Sequence, residues 1–241
     1  MGLMTDHGGP ADEYEAVALP LRSLSSAVFV RRSARPSRRA VLHLHELADS
    51  LAPADLVRWY NERGFHFYLT DVAAAEQASS GRRRPAKSPV AAFSALDAAC
   101  SHLKETDGID AIILSAQGPT AQMAAQWCDA RPVSRPVEAV ILSNPDFGSE
   151  RIRLDIACPV LVISAAGSWR DTRRARRAKE SIRLGQHVTW LQIDGAAGAG
   201  GPARNGSGVG LVVPPQRRRL FDEMGRWLGA YMYGHVRDQL L

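Results

Sequence analysis

The chain has 241 residues, of which 45% are hydrophobic and 23% charged, with a formal net charge of +5 and only three cysteines. That is enough for one sizeable core, and three scattered cysteines weigh against a disulfide framework. The cysteines, Cys100, Cys128 and Cys158, lack Cys-x-x-Cys spacing and read as small core residues rather than metal ligands.

Residues 1–12 read as a flexible tail, and 13–241 as a single domain. No apolar run reaches ~18 residues and the amino terminus has no hydrophobic signal region, so a soluble, cytoplasmic protein without a membrane span is expected. From Tyr14 to Arg32 two short strands form a hairpin, and a basic loop follows from Arg31 to Arg39. Ala40–His45 is a strand, and the helix after Pro53 carries Leu56, Val57, Trp59 and Tyr60 on one face. Gly64 stops that helix, and Phe65–Asp71 is the next strand, completing a β-α-β unit. The stretch 73–88 is an exposed loop, and a helix runs from Pro89 to about Lys104.

Four apolar residues, Ala111–Leu114, then predict a buried strand. Small residues follow it, and Pro119 opens an alanine-rich helix, where its missing N–H costs nothing. Further strands are expected at Val137–Leu142, Pro159–Ser164 and Val188–Ile193. A basic helix spans about Asp171–Leu184, and a closing helix starts after Pro214-Pro215, with Leu220, Met224, Trp227, Leu228, Tyr231 and Met232 on its buried face. The connection between the strands ending at Leu142 and starting at Pro159 is too short for a lid domain. The stretch Gly195–Gly210, nearly all small residues, is expected to be mobile. Strands alternating with helices predict an α/β protein with a doubly wound, mainly parallel sheet.

Strand, tight turn and helix in the order Ala111–Ala125 form the setting of the Gly-x-Ser-x-Gly nucleophile elbow of the α/β-hydrolases. With Leu42-His-Leu-His-Glu-Leu-Ala-Asp-Ser50, Glu62–Asp71, Val137–Pro145, Cys158–Gly167 and Arg219–Leu228, the chain resembles the lysophospholipase or monoacylglycerol-lipase-like branch of that superfamily, serine aminopeptidase S33. The resemblance implies an α/β-hydrolase fold, which the short connection before Pro159 leaves without a lid domain, and a Ser-His-Asp triad with an oxyanion hole. Laid on the pattern, Gln117 takes the serine place, Ser168 the acid place and Gly198 the histidine place, so no triad position is intact. A glutamine amide cannot be deprotonated near neutral pH and is no substitute nucleophile.

Relocated groups are the alternative: Asp146 as acid, with Ser115 or Thr120 as hydroxyl nucleophile. A base is harder to supply, because His187 precedes its strand and falls at the far end of the sheet, while His66, His102 and His235 fall elsewhere. Glu46 would oppose negative charge in the oxyanion region. His43 and His45 alternate onto one strand face and, with Glu46, could begin a metal site, but no cluster supplies further ligands, so no metal or cofactor is expected.

The expectation is a catalytically degenerate hydrolase fold that binds a small molecule or protein partner at a crevice lined by His45, Glu46, Leu47, Gln117, Gly118 and Asp146. The competing expectations are an ester or lipid hydrolase with a rearranged site and, more weakly, the histidine metal site. The arginine clusters have no interleaved aromatics, which weighs against nucleic acid.

Overall fold

The structure, a computed structural model, describes residues 15–20, 25–45, 54–71, 90–131, 136–147, 153–166, 169–182, 187–194 and 214–238. The tail 1–12, Glu46, Leu47, Ser168, Gly198 and the 195–210 stretch lie outside them. The chain divides into two compact units, Met1–Asp110 and Ala111–Leu241.

In the first unit the strands β1 (Glu15–Pro20), β2 (Ser25–Arg31), β3 (Arg39–His45) and β4 (His66–Asp71) lie in the order β1-β2-β4-β3. The first two pair antiparallel, as a hairpin should, and β2 runs antiparallel to β4. Helix α1 (Ala54–Glu62) carries the chain from β3 to β4, which pair parallel with Val41 opposite Phe67 and His45 opposite Asp71. It buries the face read from its spacing, Leu56, Val57, Trp59 and Tyr60. It ends because Gly64 turns left-handed at φ 76°, letting the Phe65 N–H donate to the Tyr60 carbonyl at 3.1 Å. Helix α2 (Val90–Glu105) buries Ala92, Ala95, Leu96, Ala99, Cys100 and Leu103, and packs against β1.

The second unit is wholly parallel. Strands β5 (Ala111–Gln117), β6 (Ala139–Ser143), β7 (Val160–Ala166) and β8 (Val188–Asp194) stand in chain order. Helix α3 (Pro119–Asp129) joins β5 to β6 and α4 (Trp169–Ser181) precedes β8, while α5 (Pro214–Asp238) packs on β8. There the Trp227 indole N–H donates to the Thr189 hydroxyl at 3.1 Å. Parallel strands joined by helical crossovers are buried on both faces, which is why Ile112, Ile113, Leu114, Val140, Leu142, Val160 and Val162 are completely covered. The strands of the chain are thus mainly parallel and the class is α/β, as the alternation of elements implied.

One boundary differs with consequence. The sequence reading ends the fifth strand at Leu114, whereas β5 runs three residues further, through Ser115 and Ala116 to Gln117. Small side chains fit a strand buried on both sides: Ser115 and Ala116 are 5% and 0% exposed, and they pair with Ile141 and Leu142. The turn into α3 therefore falls on Gly118. All three cysteines are buried and form no disulfide, and among the described residues no helix is long and apolar enough to cross a membrane.

Candidate functional site

Parallel sheets bind ligands outside the carboxyl ends of their strands. In the second unit β5 and β6 end side by side at Gln117 and Ser143, which are register partners. Gly118 then adopts φ 57° and ψ −126°, a combination outside the regions open to L-residues. Its position is fixed by three backbone bonds. The Gly118 N–H donates to the Ser143 carbonyl at 2.9 Å, and its own carbonyl accepts from the N–H groups of Ala121 and Asp146, each at 3.2 Å. Pro119, at the start of α3, has no N–H to offer.

Among the described residues, a Cβ added at Gly118 would meet nothing within 4 Å. Below it the Thr120 hydroxyl is tied to the strand end, donating to the Gln117 carbonyl at 2.8 Å and accepting from the Gln117 N–H at 3.1 Å. Thr120 is 3% exposed.

The β6 end has its own special conformation. Asn144 takes φ 45°, and its N–H donates to the Ile163 carbonyl of β7 at 2.7 Å. Asparagine tolerates this left-handed geometry better than other non-glycine residues. The turn brings Asp146 back beside Gly118, and the Asp146 carboxylate lies 3.2 Å from Nε of Arg174 on α4. At this level of β7, Ser164 is 7% exposed, and its hydroxyl has no hydrogen-bond partner among the described residues.

Of the expected site residues, Gln117, Gly118 and Asp146 come together here. Of His45, in the first unit, the structure describes only the backbone at the end of β3, opposite Asp71. His43, two residues earlier, is 5% exposed with its ring 5.7 Å from that of Phe67. Among the described residues no three His, Cys, Asp or Glu side chains group as metal ligands would. His187 sits where the sequence placed it, at the amino end of its strand: its carbonyl accepts from the Val160 N–H at 2.8 Å, beside the first residue of β7. A small cavity lined by Cys128, Arg131, Pro136, Val137 and Cys158 also lies at the amino ends of β6 and β7, away from the turn at Gly118.

Arg174 and Asn144 were not singled out by the sequence. Arg174 is one of five arginines in α4, and nothing in their spacing distinguishes the one that meets Asp146. Asn144 had a legible signal in Asn-Pro after a strand, a turn-forming pair.

No family model matches the chain, and neither does any curated protein. Solved structures do. A dienelactone hydrolase from Anabaena variabilis superposes with a TM-score of 0.64 at 13% identity, over 90% of this chain and 97% of its own. The thermostable carboxylesterase EstE1, from a metagenomic library, gives 0.61 at 14% identity over 91% and 89%. Oligopeptidase B from Leishmania major gives 0.54 at 10% identity over 77% of this chain, which spans only 33% of the peptidase. At such identities the likeness concerns the fold. The chain has the α/β-hydrolase fold.

Proposed function

We propose that this α/β-hydrolase scaffold carries no hydrolytic nucleophile and serves instead to bind a small molecule or a protein partner beside Gly118. The observation that carries the reading is the conformation of that residue. In the nucleophile elbow the serine sits on the strained residue between strand and helix, and the next residue's N–H forms half of the oxyanion hole. Here the strained residue is Gly118, which has no side chain, and the next is Pro119, which has no N–H. On this reading Gly118, rather than Gln117, stands in the serine place, one residue beyond the position the sequence suggested. Nucleophile and oxyanion donor are then missing together, and either loss alone typically costs orders of magnitude in rate.

The nearby hydroxyls do not compensate. Ser115 is buried within β5, and the Thr120 hydroxyl is spent on the Gln117 carbonyl. What the place retains is a Gly118 whose added Cβ would meet no described atom within 4 Å, with Asp146 bound to its carbonyl and paired with Arg174. The S33 lysophospholipase-like branch, a single-domain organisation, a cytoplasmic location, and Ser168 and Gly198 at the acid and histidine places belong to the same proposal.

A thermal-shift screen of small metabolites, run beside a panel of aryl and lipid esters, tests it. The expected result is a stabilising ligand without turnover. Turnover lost on substitution of one serine would establish the competing reading, an active ester or lipid hydrolase with a rearranged site.

A further inference from the structure

His66 opens β4 and is 8% exposed, with both ring nitrogens engaged. The Ser33 backbone N–H donates to Nδ1 at 2.9 Å, and Nε2 lies 3.1 Å from the Ser37 carbonyl oxygen. A ring nitrogen that accepts from an N–H carries no proton, so the bonds fix the neutral tautomer: a bare Nδ1 and an Nε2–H that donates to Ser37. The same two residues are tied to the end of α1 by their hydroxyls. Ser33 Oγ donates to the Asn61 carbonyl at 3.0 Å, and Ser37 Oγ donates to the Gly64 carbonyl. One imidazole therefore spans the segment 33–37, which carries the exposed Arg35.

A proton added at Nδ1 would point at the Ser33 N–H. The bond there becomes a clash of two donors, while the bond from Nε2 to Ser37 is strengthened by the charge. Two charged groups act on the ring from neighbouring elements: Arg32, in the loop after β2, opposes its protonation, and Asp107, in the turn after α2, favours it. Asp107 is already shared, accepting from the Tyr68 hydroxyl at 2.6 Å and lying 3.6 Å from Arg32 and 3.9 Å from His102. Burial is the largest influence and, against the Ser37 bond, keeps His66 below the usual histidine range.

We propose that His66 is a proton-operated clasp: neutral, it holds the 33–37 segment against the start of β4; protonated, it releases the Ser33 end and keeps Ser37 as the hinge. The geometry alone requires this asymmetry, because only one of the two bonds survives protonation.

Hydrogen exchange and imidazole nitrogen shifts, followed by NMR on the full-length protein from about pH 8 to about pH 5, test the clasp across the range where histidines titrate. After correction for intrinsic exchange, Ser33 amide protection should fall at least ~10-fold as His66 takes up its proton, with matching midpoints. The Asp110 amide, which donates to the Arg38 carbonyl, should stay protected. In His66→Asn the side-chain oxygen replaces the acceptor without titrating, and the Ser33 response should disappear. The clasp is overturned if Ser33 protection is flat while His66 titrates, if His66 stays neutral to about pH 5, or if His66→Asn loses protection with the same midpoint. Should His66→Asn not fold, the coincidence of midpoints in the unaltered protein decides.

Discussion

The turn at Gly118 and the Tyr68–Asp107 cluster are unusual in opposite ways. At Gly118 the backbone is extraordinary and the chemistry plain: φ 57° with ψ −126°, on a residue without a side chain. Around Tyr68 the unusual feature is chemical. The tyrosine is fully buried, its hydroxyl donates to Asp107 at 2.6 Å, and burial together with that bond pushes its ionisation well above the usual tyrosine range. An active site needs both properties in one place, a strained presentation and a perturbed titratable group. In this chain the second unit holds the strained turn and the first unit the perturbed tyrosine.

The largest expected effect removes the support of the turn. Trp127, on α3 and 0% exposed, is among the largest buried side chains of the second unit, and Trp127→Ala should cost about 3–5 kcal/mol in denaturant unfolding. A smaller loss would mean that α3 is not what holds the turn in place. Gly118→Ser comes next. A Cβ there meets no described atom within 4 Å, so the expected penalty is the conformational one, about 1–3 kcal/mol, with esterase activity still at background because the account supplies no base for the new hydroxyl. A stable variant with strong turnover would show that a base had been overlooked.

Tyr68→Phe leaves the Asp107 carboxylate short of one partner beside Arg32, and about 1–3 kcal/mol should be lost without any change in ligand binding at the second unit. Such a result sharpens the contrast by assigning the cluster to stability. The smallest effect is expected from Arg174→Gln. Its pair with Asp146 is roughly half exposed and should contribute under about 1 kcal/mol to folding, so any marked change in ligand affinity would report on binding and not on stability.

The fold was largely legible because its signals are local. Apolar runs bounded by Gly and Pro gave the strands and helices, Gly64 gave the end of α1, and Pro119 gave the start of α3. The extent of β5 was not legible, because Ser115 and Ala116 resemble turn residues and become strand only through pairing with Ile141 and Leu142. With the strand ending at Leu114 the turn was read over Ser115–Pro119 and Gln117 took its centre, whereas the proposed function centres it on Gly118. Arg174 and the double engagement of His66 depend on contacts between distant segments, which no local pattern encodes.

The central claim, a hydrolase scaffold without a nucleophile, is tested most directly by intact mass spectrometry of the unaltered protein after exposure to a fluorophosphonate, which forms a stable adduct with an activated serine. The account predicts an unchanged mass at every concentration that fully labels a control serine esterase. A stoichiometric adduct mapped to one serine, and lost with that serine's substitution, would contradict it.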